Sequence, residues 1–528
     1  MSDPKANAKT VGEALAQAVG AAPQSRAFVH ESQEFTFLQM DEISDSVACG
    51  LLNMGLGKGS RIGVLLPNIP AWLHLYFAAA KIGAVIVGLS VRHSTKELRD
   101  LIEFGRVSVL VAAPSFGDKD FAALLARMQK EGAFKAPVFF VGQPESDKGK
   151  PFEELKQTPV DKARLEKAKS QVEADDELLI LHTSGSTGRS KGTTITHRNQ
   201  LAAAIAQSRH TRMRPGDLAL VCMPLSHVGG ITVGVLSALL GRAATLLAPQ
   251  MDPGAVVELS ARHRPTVVLG FPTMHTLLLR HPDFFSLDTS AVRLVVTGGS
   301  KAELNLVKRL NAAYEKAVIM NLYGLTETSG GVVMTTWNSR VETVAQTVGK
   351  PFDGVSVKLV DVLDNEVQNE RPGEVWLKGD CVARGYFRLP EESRVAFDQS
   401  GWLRTGDIGF VNEEGLLALM GRKTEMYIQE GINVHPVEVE DCLCSHPAVV
   451  MAAGIGIPDP VLGEVGRYYV VTDPESRPHE EELLRLCQEH LAEYKQPRQI
   501  VFRDALPTTA TGKINKAALR KEFFEQGD

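Results

Sequence analysis

DDELLILHTSGSTGRSKGTTITHRNQLAAAIAQS, residues 175–208, joins an apolar run, a loop dense in hydroxyls and glycines, and a helical pattern. DDELLI reads as a buried strand. THRNQLAAAIAQS reads as a helix with Thr196 or Asn199 near its start. Residues 181–194 between them read as a loop. Gly185 and Gly188 admit backbone conformations closed to other residues and let a ligand approach the main chain. Thr183, Ser184, Ser186 and Thr187 add hydroxyls, and Arg189 and Lys191 add positive charge. Donors, cations and bare backbone together suit a polyphosphate. A solvated flexible loop is the bland alternative; the apolar flanks and two cations weigh against it. The spacing is not that of a Walker A loop.

Outward from this unit, RIGVLLP, VSVLVAA, APVFFVG, TVVLGFP and RLVVTGG alternate with longer helical patterns. Such alternation predicts an α/β chain with buried, largely parallel sheets. From about 340 the texture changes to short strands between Gly and Asp turns, as in VSVKLVD, GEVWLKG and GFVNEEGLLAL, which predicts a smaller β-rich subdomain. Past GRKTEMYIQEG the tail reads helix, strand, strand, helix, strand, helix. The expected organisation is a large N-terminal domain of layered α/β sheets over 1–421, with the β-rich subdomain at about 340–421. A small, mobile α+β domain over 422–528 follows it.

A chain of 528 residues can bury several cores. Its formal charge of −6 argues against non-specific nucleic-acid binding. Six scattered cysteines are not a disulfide framework and point to a reducing compartment. Cys442, Cys444 and His446 lie two apart on an expected helix, facing different sides, and read as packing residues. The N-terminus reads as an amphipathic first helix, since Glu13 interrupts its apolar stretch. Lys81 and Arg242 interrupt the two most apolar stretches, so no membrane span is expected and the default location is cytoplasmic.

Other stretches carry chemistry. NLYGLTETSG (321–330) should sit at a strand's carboxyl end, where open α/β sheets place ligands. Thr326 there could donate to a phosphate and Glu327 could hold Mg²⁺; a capped turn with an exposed Glu is the simpler alternative. GWLRTGDIGF (401–410) puts Asp407 in a tight turn, where a carboxylate can accept from a sugar diol or merely form an Asx-turn. Lys513 in PTTATGKINK alone would be a solvated lysine, and His227 in PLSHVGG a structural histidine. Their order along one chain is the signal.

Taken in order, TSGSTGRSKG, YGLTE, GWLRTGD, GRKTEMYIQEGINVHPVEVE and TGKINK resemble the adenylate-forming superfamily. That superfamily includes acyl- and aryl-CoA synthetases, luciferases and peptide-synthetase adenylation domains. The resemblance covers nearly the whole chain. NVHPVEVE and the lack of fused carrier domains look most like a fatty- or aryl-acid CoA ligase. It implies that a carboxylate attacks the α-phosphate of ATP, giving an acyl-adenylate and pyrophosphate, and that the CoA thiol then displaces AMP.

The resemblance also implies roles. Thr183, Ser184, Gly185, Ser186, Thr187, Gly188 and Lys191 would grip the β- and γ-phosphates. Thr326 would touch the α-phosphate, and Glu327 would bind Mg²⁺. Gly299, Ser300, Lys301, Asn321, Leu322, Tyr323 and Gly324 resemble the adenine slot. Asp407 and Arg422 would hold the ribose, and Lys513 would contact the α-phosphate and carboxylate at the moment of attack. His227 resembles the gate of an acid pocket lined by Val228, Gly229, Phe271, Gly298, Gly324, Ser329 and Gly330. Gly431 resembles the lining of the pantetheine tunnel. The chain departs from the family at Ser190, usually proline; at His182, usually aromatic; at Ser300, usually alanine; and at the hinge, where Thr424 replaces Asp or Lys. Two other readings are a stand-alone adenylating enzyme that loads a carrier protein and a degenerate acyl-adenylate or nucleotide-binding protein. The first would bring a carrier protein as partner, and a homodimer is compatible with either.

Overall fold

The run read at DDELLI forms the strand Glu177–Thr183 in an eight-stranded sheet. It pairs parallel with Val85–Leu89 on one side and antiparallel with Lys191–Thr196 on the other. The computed structural model describes residues 8–142, 149–183, 191–250, 252–368, 370–473, 476–509 and 512–526. Ser184, Gly185, Ser186, Thr187, Gly188 and Ser190 lie outside them. The loop expected over 181–194 is shorter than its composition suggests, because its ends belong to a hairpin in which Thr183 pairs with Lys191. Thr193 and Thr194 are β-branched and buried, which suits a strand better than a loop. The helix follows as His197–His210, capped by Thr196 and Asn199 in a reciprocal capping box.

Continuing past Val85–Leu89, the eight-stranded sheet runs Arg61–Leu65, Val109–Ala112 and Val138–Phe140, all parallel. A nine-stranded sheet places Val318–Leu325, Leu294–Gly298, Val267–Gly270, Leu218–Val221, Ala244–Leu247 and Arg26–His30 side by side and parallel, with antiparallel strands at both edges. Helices fill the space between the sheets. Pro70–Ile82 is apolar on nearly every face and buried from Ala71 onward, as a helix enclosed by protein must be. It shares one core with Phe28 and Leu247 of one sheet and Ile62, Ile86 and Leu181 of the other. Its one cation, Lys81, is only 3% exposed and is satisfied by Asp41 at 2.7 Å and Asp45 at 2.6 Å. Among the described residues no helix is long and apolar enough to cross a membrane.

The β-rich stretch is a four-stranded antiparallel sheet of Ser356–Val360, Gly373–Lys378, Leu403–Val411 and Leu417–Arg422. The C-terminal domain follows the expected order, with Pro436–Cys444, Val449–Asp459, Gly463–Thr472, Glu480–His490, Gln499–Phe502 and Lys516–Gln526. It adds two short strands that the sequence reading missed, Tyr427–Gln429 and Ile432–Val434. Three residues are too few to show a period. Cys442 and Cys444 are buried in the core beneath this sheet.

Candidate active site

Three neighbouring parallel strands end together: Val267–Gly270, Leu294–Gly298 and Val318–Leu325. The segments leaving them, Phe271–Thr273, Gly299–Lys301 and Thr326–Glu327, line a cavity of about 1410 Å³. This is the carboxyl-end crevice where parallel sheets expose their loops. Gly299 has φ +82°, and a Cβ there would stand 2.7 Å from Phe271 and 3.1 Å from Lys513, so the turn requires glycine.

Lys513 enters from the C-terminal domain. Its loop is anchored where Thr273 Oγ1 donates to the Gly512 carbonyl at 2.9 Å. The Lys513 ammonium lies 5.7 Å from the centre of the Phe271 ring. Burial, then Arg422, lowers its pKa to about 8, against the pull of Asp407 and Glu327. Asp407 is not in a tight turn, as expected, but inside the strand Leu403–Val411, kinked at Gly406 with φ +73°. The strand buries the carboxylate, which accepts from Tyr323 Oη at 2.6 Å and pairs with Arg422 at 3.2 Å. Burial raises the Asp407 pKa, while Arg422 and Tyr323 oppose the rise.

Thr326 and Glu327 form a single 3₁₀ turn after their strand. Glu327 Oε1 accepts from Tyr386 Oη at 2.8 Å, and the Lys191 ammonium lies 5.0 Å from the Tyr386 ring centre. His227 precedes a π-helix, Gly229–Leu236. Gly230 is forced by close approach, since a Cβ there would lie 2.3 Å from the Pro224 carbonyl. His227 Nδ1 accepts from the Gly229 amide at 3.0 Å, leaving its proton on Nε2. Burial, then Lys513, drives its pKa down to about 3, so it is neutral at pH 7.

Four families of expected residues therefore meet in one cavity: Lys191; Thr326 with Glu327; Asp407 with Arg422; and Lys513 beside His227. Gly299, Ser300, Leu322, Tyr323 and Gly324 line it as well. Asn321 and Lys301 line it too, but their side chains already hold protein partners. Asn321 Nδ2 donates to the Val344 and Thr347 carbonyls, each at 3.0 Å, so it braces the wall. Lys301 bonds Asp441 of the C-terminal domain. Ser329, expected in the acid pocket, does not line the cavity; it is buried with φ +59° and donates to the Cys381 carbonyl at 2.9 Å. Gly431 is exposed at a hairpin turn, outside the cavity lining.

The family described as AMP-binding enzyme matches residues 15–387, and AMP-binding enzyme C-terminal domain matches residues 438–513. The chain belongs to the AMP-binding enzyme family. This AMP-binding enzyme is 34% identical over 515 residues to the 3-(7a-methyl-1,5-dioxo-octahydro-1H-inden-4-yl)propanoyl:CoA ligase of Mycobacterium tuberculosis, covering 97% of this chain and 99% of that one. It is 32% identical to the long-chain-fatty-acid–CoA ligase FadD13 of the same species, covering 98% and 99%. Its fold is similar to that of the anthranilate CoA ligase AuaEII, solved with anthranoyl-AMP, with TM-score 0.87, 26% identity and 97% of each chain covered.

The sequence reading of this AMP-binding enzyme missed several cavity residues. Met223, Val233, Leu269 and Val296 line its apolar end. Each lies in or beside a strand or helix, where an apolar residue looks like any other core residue. Tyr386, in GYFRLPEES, carries no sign of a role in the sequence.

Proposed function

We propose that this AMP-forming acyl-CoA ligase activates an acid with an uncharged hydrophobic tail, aliphatic or aromatic, and that Lys513, Thr326, Glu327, Asp407 and Arg422 carry its adenylation step. Ligase activity stands on the family and the end-to-end relatives; the acid and the residue roles are inferred from the cavity. One observation carries them. The cavity that receives Lys513 with Asp407 and Glu327 is also lined by neutral His227 and by Met223, Val233, Leu269 and Val296, which pack in one apolar cluster with Phe271. An apolar end beneath a cluster of charged groups suits an acid with a hydrophobic tail and its carboxylate toward ATP.

Adenylation brings two anions together, so the site must neutralise charge and fix an in-line approach. Lys513, which shares the cavity with Asp407 and His227, can hold the α-phosphate and the attacking carboxylate. Thr326 can donate to the same phosphate, and Lys191 can draw the outer phosphates. Asp407, already ordered by Tyr323 and Arg422, can accept from the ribose hydroxyls. Glu327 fits a magnesium ion: it is a hard oxygen donor at the phosphate end, and Tyr386 fixes one of its two oxygens. Magnesium bound with ATP would supply further neutralising charge. Neutral His227 can pack against the acid without competing as a cation for its carboxylate. CoA is the acceptor, and Gly431 would line its path in a second domain arrangement.

Pyrophosphate release over a panel of acids, followed by acyl-CoA formation on adding CoA, tests the reading. One or a few hydrophobic acids should give both signals; a dicarboxylate as the best substrate would overturn the proposed acid class. Asp407→Ala should raise the KM for ATP by about tenfold or more while that for the acid stays nearly constant, since an anchor made in ground and transition states is lost. Unchanged ATP dependence would remove Asp407 from the ribose site.

The Lys513 environment also sets a pH dependence. A lysine with a pKa near 8 is charged below that pH and loses its charge above it. In adenylation, kcat/KM for ATP should therefore fall as pH rises through about 8, and the limb in kcat should lie higher because bound ATP favours the cation. Lys513→Arg should move the kcat/KM limb upward even if its rate is lower, since guanidinium stays protonated. An unmoved limb in that variant would assign it to another group.

A further inference from the structure

Tyr386 stands where two active-site elements meet. The short strand Gly385–Tyr386 pairs antiparallel with Lys191–Thr196, placing Tyr386 opposite Thr193. Its amide donates to Ser393 Oγ at 2.8 Å, and its ring packs edge-on against Phe397 with centres 5.5 Å apart. The same segment grips the backbone on both sides: the Ala383 amide donates to the Glu327 carbonyl at 2.7 Å, and the Arg384 amide to the Thr194 carbonyl at 3.1 Å. From this clamped position the phenol donates to Glu327 Oε1 at 2.8 Å, and the ring lies 5.0 Å from the Lys191 ammonium.

We propose that Tyr386 is a positioning residue for adenylation, its phenol orienting Glu327 toward the metal and its ring steering Lys191 toward the outer phosphates. The two halves of the side chain act on different partners. A phenol–carboxylate bond fixes which oxygen is offered to a metal, and such outer partners tune metal affinity strongly. An aromatic face attracts an ammonium through its quadrupole, so the ring can set the side on which the Lys191 head lies. Joining these functions in one ring ties the Lys191 hairpin to the Glu327 turn, elements far apart in sequence.

The proposal rests on the ATP-dependent reading above, and its test uses binding rather than turnover. Mn²⁺ binding to the full-length protein with ATP and no acid would be followed by electron paramagnetic resonance, and ATP affinity would be measured separately in EDTA. Tyr386→Phe keeps the ring and removes the phenol; Mn²⁺ should bind about tenfold more weakly while metal-free ATP affinity is unchanged. Tyr386→Leu removes both; metal-free ATP affinity should also fall, by roughly two- to fivefold. Unchanged or tighter Mn²⁺ binding in the Phe variant would overturn the role of the phenol. Equal metal-free ATP affinity in the wild type and the Leu variant would overturn that of the ring. The Phe variant, which preserves packing against Phe397, keeps the test decisive if the Leu variant fails to fold. Absence of acid-dependent pyrophosphate release from the wild type would instead overturn the ligase assignment and leave the Mn²⁺ comparison interpretable.

Discussion

Lys513→Ala should slow acyl-adenylate formation by about 10²–10³-fold, yet largely spare transfer from a supplied acyl-adenylate to CoA. The size of the effect follows from the surroundings. Burial lowers the Lys513 pKa to about 8, so the ammonium acts where little water screens it. Negative charge accumulates there as the carboxylate attacks the α-phosphate, and alanine offers nothing in its place. The anchor between Thr273 and the Gly512 carbonyl does not involve the lysine side chain, so the loop should still dock. Single-turnover pyrophosphate release measures the first half-reaction, and thioester formation from synthetic acyl-adenylate measures the second. Equal losses in both would remove Lys513 from a step-specific role.

Thr424→Pro should separate the half-reactions in the same direction of reasoning but with the opposite outcome, keeping adenylation and blocking thioester formation. The Lys423 amide donates to the Gly406 carbonyl at 2.9 Å, which ties Lys423 to the β-rich sheet just past its last strand. The strand Tyr427–Gln429 already belongs to the C-terminal sheet. Thr424 lies in the turn between them, closed by the Glu425 and Met426 amides donating to the Arg422 carbonyl. In this arrangement Lys513 lies in the cavity while Gly431 lies outside its lining. If Gly431 lines the thiol's path, as proposed above, serving both steps calls for rotation about a few backbone dihedrals. Proline fixes φ near −65° and restricts Lys423 before it. Strain of about 1–3 kcal/mol in the rotated state would lower its population roughly 5- to 150-fold. Burst pyrophosphate release without CoA should persist while steady acyl-CoA production falls by that factor. If both rates survive, or both fall equally, the hinge lies elsewhere.

The strands were legible because buried parallel strands are continuous apolar runs. Arg61–Leu65, Val267–Gly270 and Leu294–Gly298 each match a run read from sequence. The helix start at Thr196 was legible because a cap and its partner, Asn199, lie three residues apart. Thr326, Glu327, Asp407 and Lys513 were legible as candidates through the order of their stretches along the chain, and Arg422 through the family resemblance that this order carries. Asp407 shows where local reading stopped: two glycines looked like a turn, but pairing with Arg422 on the next strand makes it a kinked strand.

By itself, then, the sequence determined the α/β class, the order of the elements and the residue types available for phosphate chemistry, all of which depend on neighbours within a few positions. The tertiary structure decided what those residues do together. Tyr323 reaches Asp407 across 84 positions, Tyr386 reaches Glu327 across 59, and Lys301 is drawn to Asp441 across 140. No periodicity encodes such meetings. They arise because burying the apolar faces of the sheets fixes which strand ends converge, and polar side chains at those ends must then find partners out of reach of water.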